Sequence, residues 1–200
     1  KSLEEIIIPG PEGISFIPGG SGIFELANIA NTKRAELVEK IEMCARNMDY
    51  FLIDSGAGIS DIVLGFVTAA DDVIIVITPE PTSITDGYGM IKVLSRFDLH
   101  KRIYLVINRA RDFQEAQANA EKIENVTKRF LGIEVIILGF VYDDKNVAKA
   151  IKQMEPFMTL YPRTQVTQDI FYIAGNLLQD GIKPPINKNS FSMKLRRLFK

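Results

Sequence analysis

The stretch Phe51-Leu-Ile-Asp-Ser-Gly-Ala-Gly-Ile-Ser60 ends an apolar run on one carboxylate, Asp54, and follows it with two glycines, Gly56 and Gly58. A short apolar run bounded by turn residues reads as a buried strand. In an open α/β sheet, a carboxylate at the carboxyl end of a strand lies where ligands bind. Glycines let the loop beyond it approach a ligand closely and change conformation without a Cβ penalty. The combination suits a nucleotide-dependent switch, with Asp54 near Mg²⁺ and a mobile loop near a terminal phosphate. A strand, a turn and a buried Asp54 that caps the next helix account equally well for the same residues.

Other segments carry polar groups to the ends of apolar runs. Val106-Ile-Asn-Arg-Ala110 closes on an amide, Asn108, whose side chain offers a donor and an acceptor together and so matches the edge of adenine. A local backbone hydrogen bond that ends the strand is the alternative role for Asn108. Gly139-Phe-Val-Tyr-Asp-Asp144 places Tyr142, Asp143 and Asp144 at the end of the next run, with Asp143 as the expected N-cap of a helix over 144–153. Thr78-Pro-Glu-Pro-Thr-Ser-Ile-Thr-Asp86 is polar, is stiffened by two prolines, and offers Thr82 or Ser83 as a helix cap. A phosphate-cradling loop needs Gly-x-x-x-x-Gly-Lys-[Ser/Thr], and no Gly-Lys pair occurs anywhere in the chain. Pro18-Gly-Gly-Ser-Gly22 is the nearest imitation and, lacking a lysine, reads as a loop that packs near the site.

The elements that must position these groups alternate. Strand-length apolar runs lie at 14–17, 50–54, 73–78, 103–107 and 134–141, and helical periodicity at 23–30, 34–47, 60–69, 83–97, 114–130 and 143–153. Strands alternating with helices predict right-handed βαβ units: a three-layer, doubly wound, mostly parallel α/β fold. Val73-Ile-Ile-Val-Ile77 and Val135-Ile-Ile-Leu138 are apolar without alternation, as strands covered by helices on both faces should be. Two hundred residues, 46% hydrophobic and 24% charged, suffice for one sizeable core. A net charge of −1 gives no global electrostatic case for nucleic acid. The single cysteine, Cys44, excludes an internal disulfide framework, and the single His100 gives little support to histidine chemistry. No apolar run reaches the roughly 18–20 residues of a membrane-spanning helix. Residues 1–180 are expected to form the α/β domain and 181–189, rich in Pro and Asn, a linker.

The tail, 190–200, is a separate element with a 100° periodicity. Phe191, Leu195, Leu198 and Phe199 fall on one arc, opposite Lys194, Arg196, Arg197 and Lys200, with Met193 the exception. Large apolar residues facing cations suit an interfacial anchor on anionic lipid. Four such side chains, at about 1.5–3 kcal/mol each when fully buried, give marginal binding after the ordering entropy. The anchor would therefore work best in pairs.

Taken together, these segments resemble the MinD/ParA group of deviant-Walker P-loop ATPases, and within it the FlhG (FleN, YlxH) branch that controls flagellar number and placement. The resemblance rests on Pro18-Gly-Gly-Ser-Gly-Ile-Phe-Glu-Leu-Ala27, Ile53-Asp-Ser-Gly-Ala-Gly-Ile59, Thr78-Pro-Glu-Pro-Thr-Ser-Ile-Thr-Asp-Gly-Tyr-Gly89, Val106-Ile-Asn-Arg-Ala110, Pro156-Phe-Met-Thr-Leu-Tyr-Pro162 and the tail. It implies ATP/ADP and Mg²⁺ as cofactors and an ATP-driven homodimer. Such a dimer would be cytoplasmic and reversibly peripheral on the cytoplasmic face of the plasma membrane, with an FlhF-type GTPase and flagellar switch-complex proteins as partners. Asp54 would act on Mg²⁺ through water and Gly58 would sense the γ-phosphate. Asn108 would read adenine with Arg109 stacking nearby, and Tyr142, Asp143 and Asp144 would line the base. Phe191, Lys194, Leu195, Arg197, Leu198 and Phe199 would meet the membrane. Val141-Tyr142-Asp143-Asp144 departs from the family's Ile-Pro-x-Asp pattern.

The chain opens on Lys1 and reads as part of a longer protein. The family's Lys-Gly-Gly-Val-Gly-Lys-Thr loop and switch I Asp-x-Asp segment are expected upstream. The isolated 200-residue piece is accordingly expected to be inactive, while the intact parent is expected to be an ATPase. A MinD-type division-site ATPase, and a nucleotide-free module that displays the membrane helix, are the alternative functions.

Overall fold

The structure is a computed structural model that describes residues 7–18, 48–96 and 102–179. The helices expected at 23–30 and 34–47, Cys44, His100, the linker and the amphipathic tail with its membrane residues lie outside the described residues, as does nearly all of the Pro18–Gly22 loop. Two compact units divide the chain: residues 1–70 with 185–200, and Asp71–Pro184.

In the first unit, β1 (Ile8–Pro9) and β2 (Ser15–Phe16) pair antiparallel, with Ile8 opposite Phe16. A single turn of 3₁₀ helix, Pro11–Gly13, closes the hairpin. The strand expected over 14–17 is thus one arm of a small hairpin, and not a member of the parallel sheet. The strand expected over 50–54 is a second correction: these residues carry no strand, and Phe51 and Leu52 are exposed, Leu52 at 82%. A strand exists through its ladder, and among the described residues this run has no ladder partner. Next comes α1 (Asp61–Ala69).

The second unit holds three parallel strands in the order β3 (Val73–Ile77), β4 (Ile103–Ala110), β5 (Ile136–Tyr142). They are joined through α2 (Pro81–Arg96) and α3 (Phe113–Leu131), and followed by α4 (Lys145–Gln153), α5 (Phe157–Leu160) and α6 (Gln165–Gln179). Local chemistry sets the helix ends. Pro81 is the first residue of α2, where its missing N–H costs nothing. The Asp112 carboxylate caps α3 by accepting from the Glu115 N–H at 2.8 Å, while the Glu115 carboxylate accepts from the Arg111 N–H at 2.7 Å.

Side-chain alternation along the strands resolves the layers. Val73, Ile75 and Ile77 lie in register with Ile103, Leu105 and Ile107, and α2 approaches this face so closely at Gly87 that a Cβ there would meet the Ile77 side chain. The opposite face carries Tyr104 and Val106, packed with Leu138, Val141 and Val166 and bordered by Ile170, Ile173 and Leu177 of α6. Helix, sheet and helix therefore stack in three layers, as expected for an α/β fold.

Two expectations fail in detail. Among the described residues β3 is packed on one face: Ile74 and Val76, which share the face of Tyr104 and Val106, stay 39% and 56% exposed. Its continuous apolar run does not mean two covered faces, because α6 packs on β5 and reaches no further than the core around β4. Helix α6 lies beyond the last expected helix, although Val166, Ile170, Ile173 and Leu177 recur at helical spacing.

Candidate functional site

The second unit gathers its polar groups at the carboxyl ends of β3, β4 and β5. Thr78 follows β3, and its N–H donates to Ser83 Oγ at 3.0 Å. Ser83 thus ties the loop back to the strand end, in place of the helix-capping role expected for it. A hydrogen bond from the Thr78 hydroxyl holds the Glu80 carboxyl below its usual range, with its own backbone N–H and the nearby Arg109 charge lowering it further.

β4 runs two residues past Asn108, which sits opposite Val141 of β5. Asn108 is half-buried, and among the described residues its carboxamide has no hydrogen-bond partner. The strand-ending bond considered for it is therefore not formed. Its donor and acceptor stay available to a planar ligand edge. Arg109 adopts a left-handed conformation, φ 58°, where the ladder to β5 is irregular. A non-glycine residue held there costs of order 1 kcal/mol. The irregularity falls between the Asn108–Val141 and Ala110–Tyr142 pairs and leaves Arg109 beside Asp143, whose Oδ1 lies 3.6 Å from Arg109 Nε. Both side chains are largely exposed, at 63% and 67%, so the pair adds little stability.

The cap expected at Asp143 falls one residue later. Asp144 is the N-cap of α4, its Oδ1 accepting from the Asn146 N–H at 2.7 Å. Asp143 is left to face Arg109, and its backbone N–H donates to Ala110 O at 3.0 Å. The Tyr142 N–H donates to Asp169 Oδ2 at 3.1 Å. Asn108, Arg109, Tyr142, Asp143 and Asp144 are thus adjacent on two neighbouring strand ends. Sequence reasoning missed Glu80 and Asp169 as members of this edge. Asp169 lies 27 residues from its partner, a separation no local motif encodes.

Asp54 and Gly58 belong to the first unit. Asp54 is exposed and, among the described residues, has no hydrogen bond or ion pair. It does not cap the next helix: Ser60 does, accepting from the Val63 N–H at 3.4 Å. Gly58 has φ 100°, a conformation that only glycine adopts freely, with open space around it. Mg²⁺ keeps most of its waters and takes one or two carboxylates, so a single unpaired Asp54 fits a water-mediated contact. Among the described residues no group of three or more His, Cys, Asp or Glu side chains is placed to hold a metal ion.

No family model matches the chain. The antiactivator FleN of Pseudomonas aeruginosa is 32% identical over 165 residues, covering 82% of this chain and 59% of that protein. The flagellum site-determining protein YlxH of Helicobacter pylori is 30% identical over 177 residues, 88% of this chain and 60% of that protein. The chain therefore spans about three fifths of the length of these relatives. A solved structure of the septum site-determining protein MinD from Pyrococcus horikoshii, complexed with Mg-ADP, superposes with a TM-score of 0.68 at 19% identity, over 93% of this chain and 73% of that one. The superposition shows that the chain has the α/β fold of MinD. The chain is similar to FleN and YlxH in sequence.

Proposed function

We propose that the protein to which this chain belongs is a Mg²⁺-dependent, ATP-binding and ATP-hydrolysing switch that regulates flagellar number or placement. The observation that carries the nucleotide reading is the unpartnered Asn108 carboxamide at the ligand edge of the sheet, beside the Arg109–Asp143 pair. The likeness to FleN and YlxH supports the flagellar role, and the Mg-ADP complex of the P. horikoshii protein supports the cofactors. In this reading Asn108 reads the adenine edge, Arg109 lies against the base, and Tyr142, Asp143 and Asp144 wall it. Asp54 would hold Mg²⁺ through water and Gly58 would follow the γ-phosphate. When bound, Mg²⁺ neutralises charge on the phosphates.

ATP would drive homodimerisation, and Phe191, Lys194, Leu195, Arg197, Leu198 and Phe199 would then hold the pair on the cytoplasmic face of the plasma membrane. An FlhF-type GTPase and flagellar switch-complex proteins would be the partners. Solved MinD structures with the same fold favour a division-site ATPase as the second reading.

The test is equilibrium binding of a fluorescent ADP analogue to the whole protein and its Asn108→Ala variant. Loss of two adenine hydrogen bonds should weaken binding about tenfold or more. Equal affinity for the two proteins overturns the assignment of Asn108. Asp54→Asn should bind nucleotide and lose Mg²⁺-dependent hydrolysis. Deletion of residues 190–200 should abolish co-sedimentation with anionic vesicles, and unchanged sedimentation rules out the anchor.

A further inference from the structure

β5 is an outer strand of the described sheet, yet two of its backbone groups are engaged by side chains and not by another strand. Asn176 Nδ2 donates to Leu138 O at 2.7 Å, and Asp169 Oδ2 accepts from the Tyr142 N–H at 3.1 Å. Both side chains come from α6. The approach is close because residue 139 is glycine: a Cβ there would lie 2.9 Å from Ile173 Cγ1.

The two contacts differ in kind. A neutral amide serves Leu138, but Tyr142 is served by a carboxylic side chain only 7% exposed. The other oxygen of Asp169 accepts from Gln165 Nε2 at 2.8 Å, and among the described residues no cation pairs with it. A buried carboxyl group without a cation is costly. Packing does not call for one here, since Val166, Ile170 and Ile173 already supply the apolar face of α6.

What Asp169 gains is the start of the 142–144 turn. The Tyr142 N–H is fixed by Asp169, the Asp143 N–H by Ala110 O, and Asp144 by its cap on α4. Three successive residues are thereby pinned from three different elements, and Asp143 is set beside Arg109 and Asn108.

We propose that Asp169 is a positioning residue for nucleobase recognition: through the Tyr142 N–H it fixes the 142–144 turn against Asn108 and Arg109, so that affinity for the base, and not for the phosphates, depends on it. The inference rests on the nucleotide reading above and deepens it. Its loss removes one hydrogen bond from the turn, equivalent to about a three- to tenfold change in affinity.

The experiment measures ADP and tripolyphosphate affinities by calorimetry on the whole protein and on three variants. Asp169→Ala should weaken ADP about three- to tenfold and leave tripolyphosphate unchanged. Asp169→Asn should rescue ADP binding to within about twofold, because the Gln165 amide can turn over and leave an oxygen for Tyr142. Asn176→Ala, which removes the companion bond at Leu138, should leave the ratio of the two affinities unchanged. Equal losses for both ligands, or none, overturn the assignment. Should Asp169→Ala not fold, the Tyr142 amide resonance of the unsubstituted protein decides: it should move with ADP and stay with tripolyphosphate, and the opposite result overturns the proposal. Failure of the unsubstituted protein to bind ADP overturns the nucleotide reading itself. Normal ADP binding together with an insensitive Asp169→Ala overturns only the role of Asp169.

Discussion

The two ends of the three-stranded sheet handle charge differently. At the amino end, Asp72 and Arg102 form a bidentate pair at 3.0 and 3.1 Å, two-thirds or more shielded, and the guanidinium lies 5.8 Å from the centre of the Tyr104 ring. The Arg102 carbonyl also accepts from the Val73 N–H, so the strands are joined through backbone and side chain together. At the carboxyl end, Arg109 and Asp143 stand 3.6 Å apart in solvent, and Asn108 has no partner among the described residues. Bidentate, shielded geometry stabilises, and loose, screened geometry does not. The end that closes the fold is saturated internally. The other keeps its hydrogen-bonding capacity for something outside the chain, as the proposed function requires.

Three substitutions and a pH titration break or sharpen this contrast, beginning with the largest. Ile107→Ala empties a fully buried position between the two ends and should cost about 2–5 kcal/mol in denaturant unfolding. Asp72→Ala leaves Arg102 without its bidentate acceptor. We expect a loss of about 1–2 kcal/mol with nucleotide affinity untouched, read by unfolding and binding on the same sample. Arg109→Gly should do the reverse. Stability should hold or rise by less than about 1 kcal/mol as the left-handed backbone relaxes, while ADP affinity falls. A stability loss as large as that of Asp72→Ala would erase the distinction between the ends.

The smallest effect is with pH. The Glu80 carboxyl is lowered by the Thr78 hydroxyl, and that of Asp112 by the Glu115 N–H and then by Arg111, from ordinary values of 4.5 and 3.8. Groups with depressed folded values contribute stability above their unfolded values and lose it as pH falls through the folded ones. Unfolding midpoints should therefore decline gently below about pH 4.5 and be flat above it. Glu80→Gln and Asp112→Asn should each flatten part of that decline.

Much of this unit was legible in the sequence, for physical reasons that differ by element. β4 and α3 were clear because each carries its own pattern: a continuous apolar run in one, and in the other a helical periodicity that the Ala116–Ala120–Ile123 face follows. The 50–54 run was misread because apolar strand-length composition does not specify a ladder partner. β3 was over-read for a related reason: an apolar run does not say how far a covering helix extends. The placement of Asn108, Arg109 and the 142–144 turn at one edge of the sheet was legible, because polar residues there end apolar runs. Asp169 was not, since a tertiary contact joins residues that no motif links. The shift of the cap from Asp143 to Asp144 turns on a single residue of backbone path, finer than periodicity resolves.

Asp169 and Asn176 stand seven residues apart on α6, two helical turns or about 10 Å of rise. Leu138 and Tyr142 stand four apart on β5, about 13 Å. The two spans match only because both elements keep their length. An inserted or deleted residue between 169 and 176 would rotate one side chain about 100° off the strand. This stretch of helix should thus accept many changes of residue type on its outer face and no change of length, a constraint that a deletion scan reads directly and a substitution scan does not.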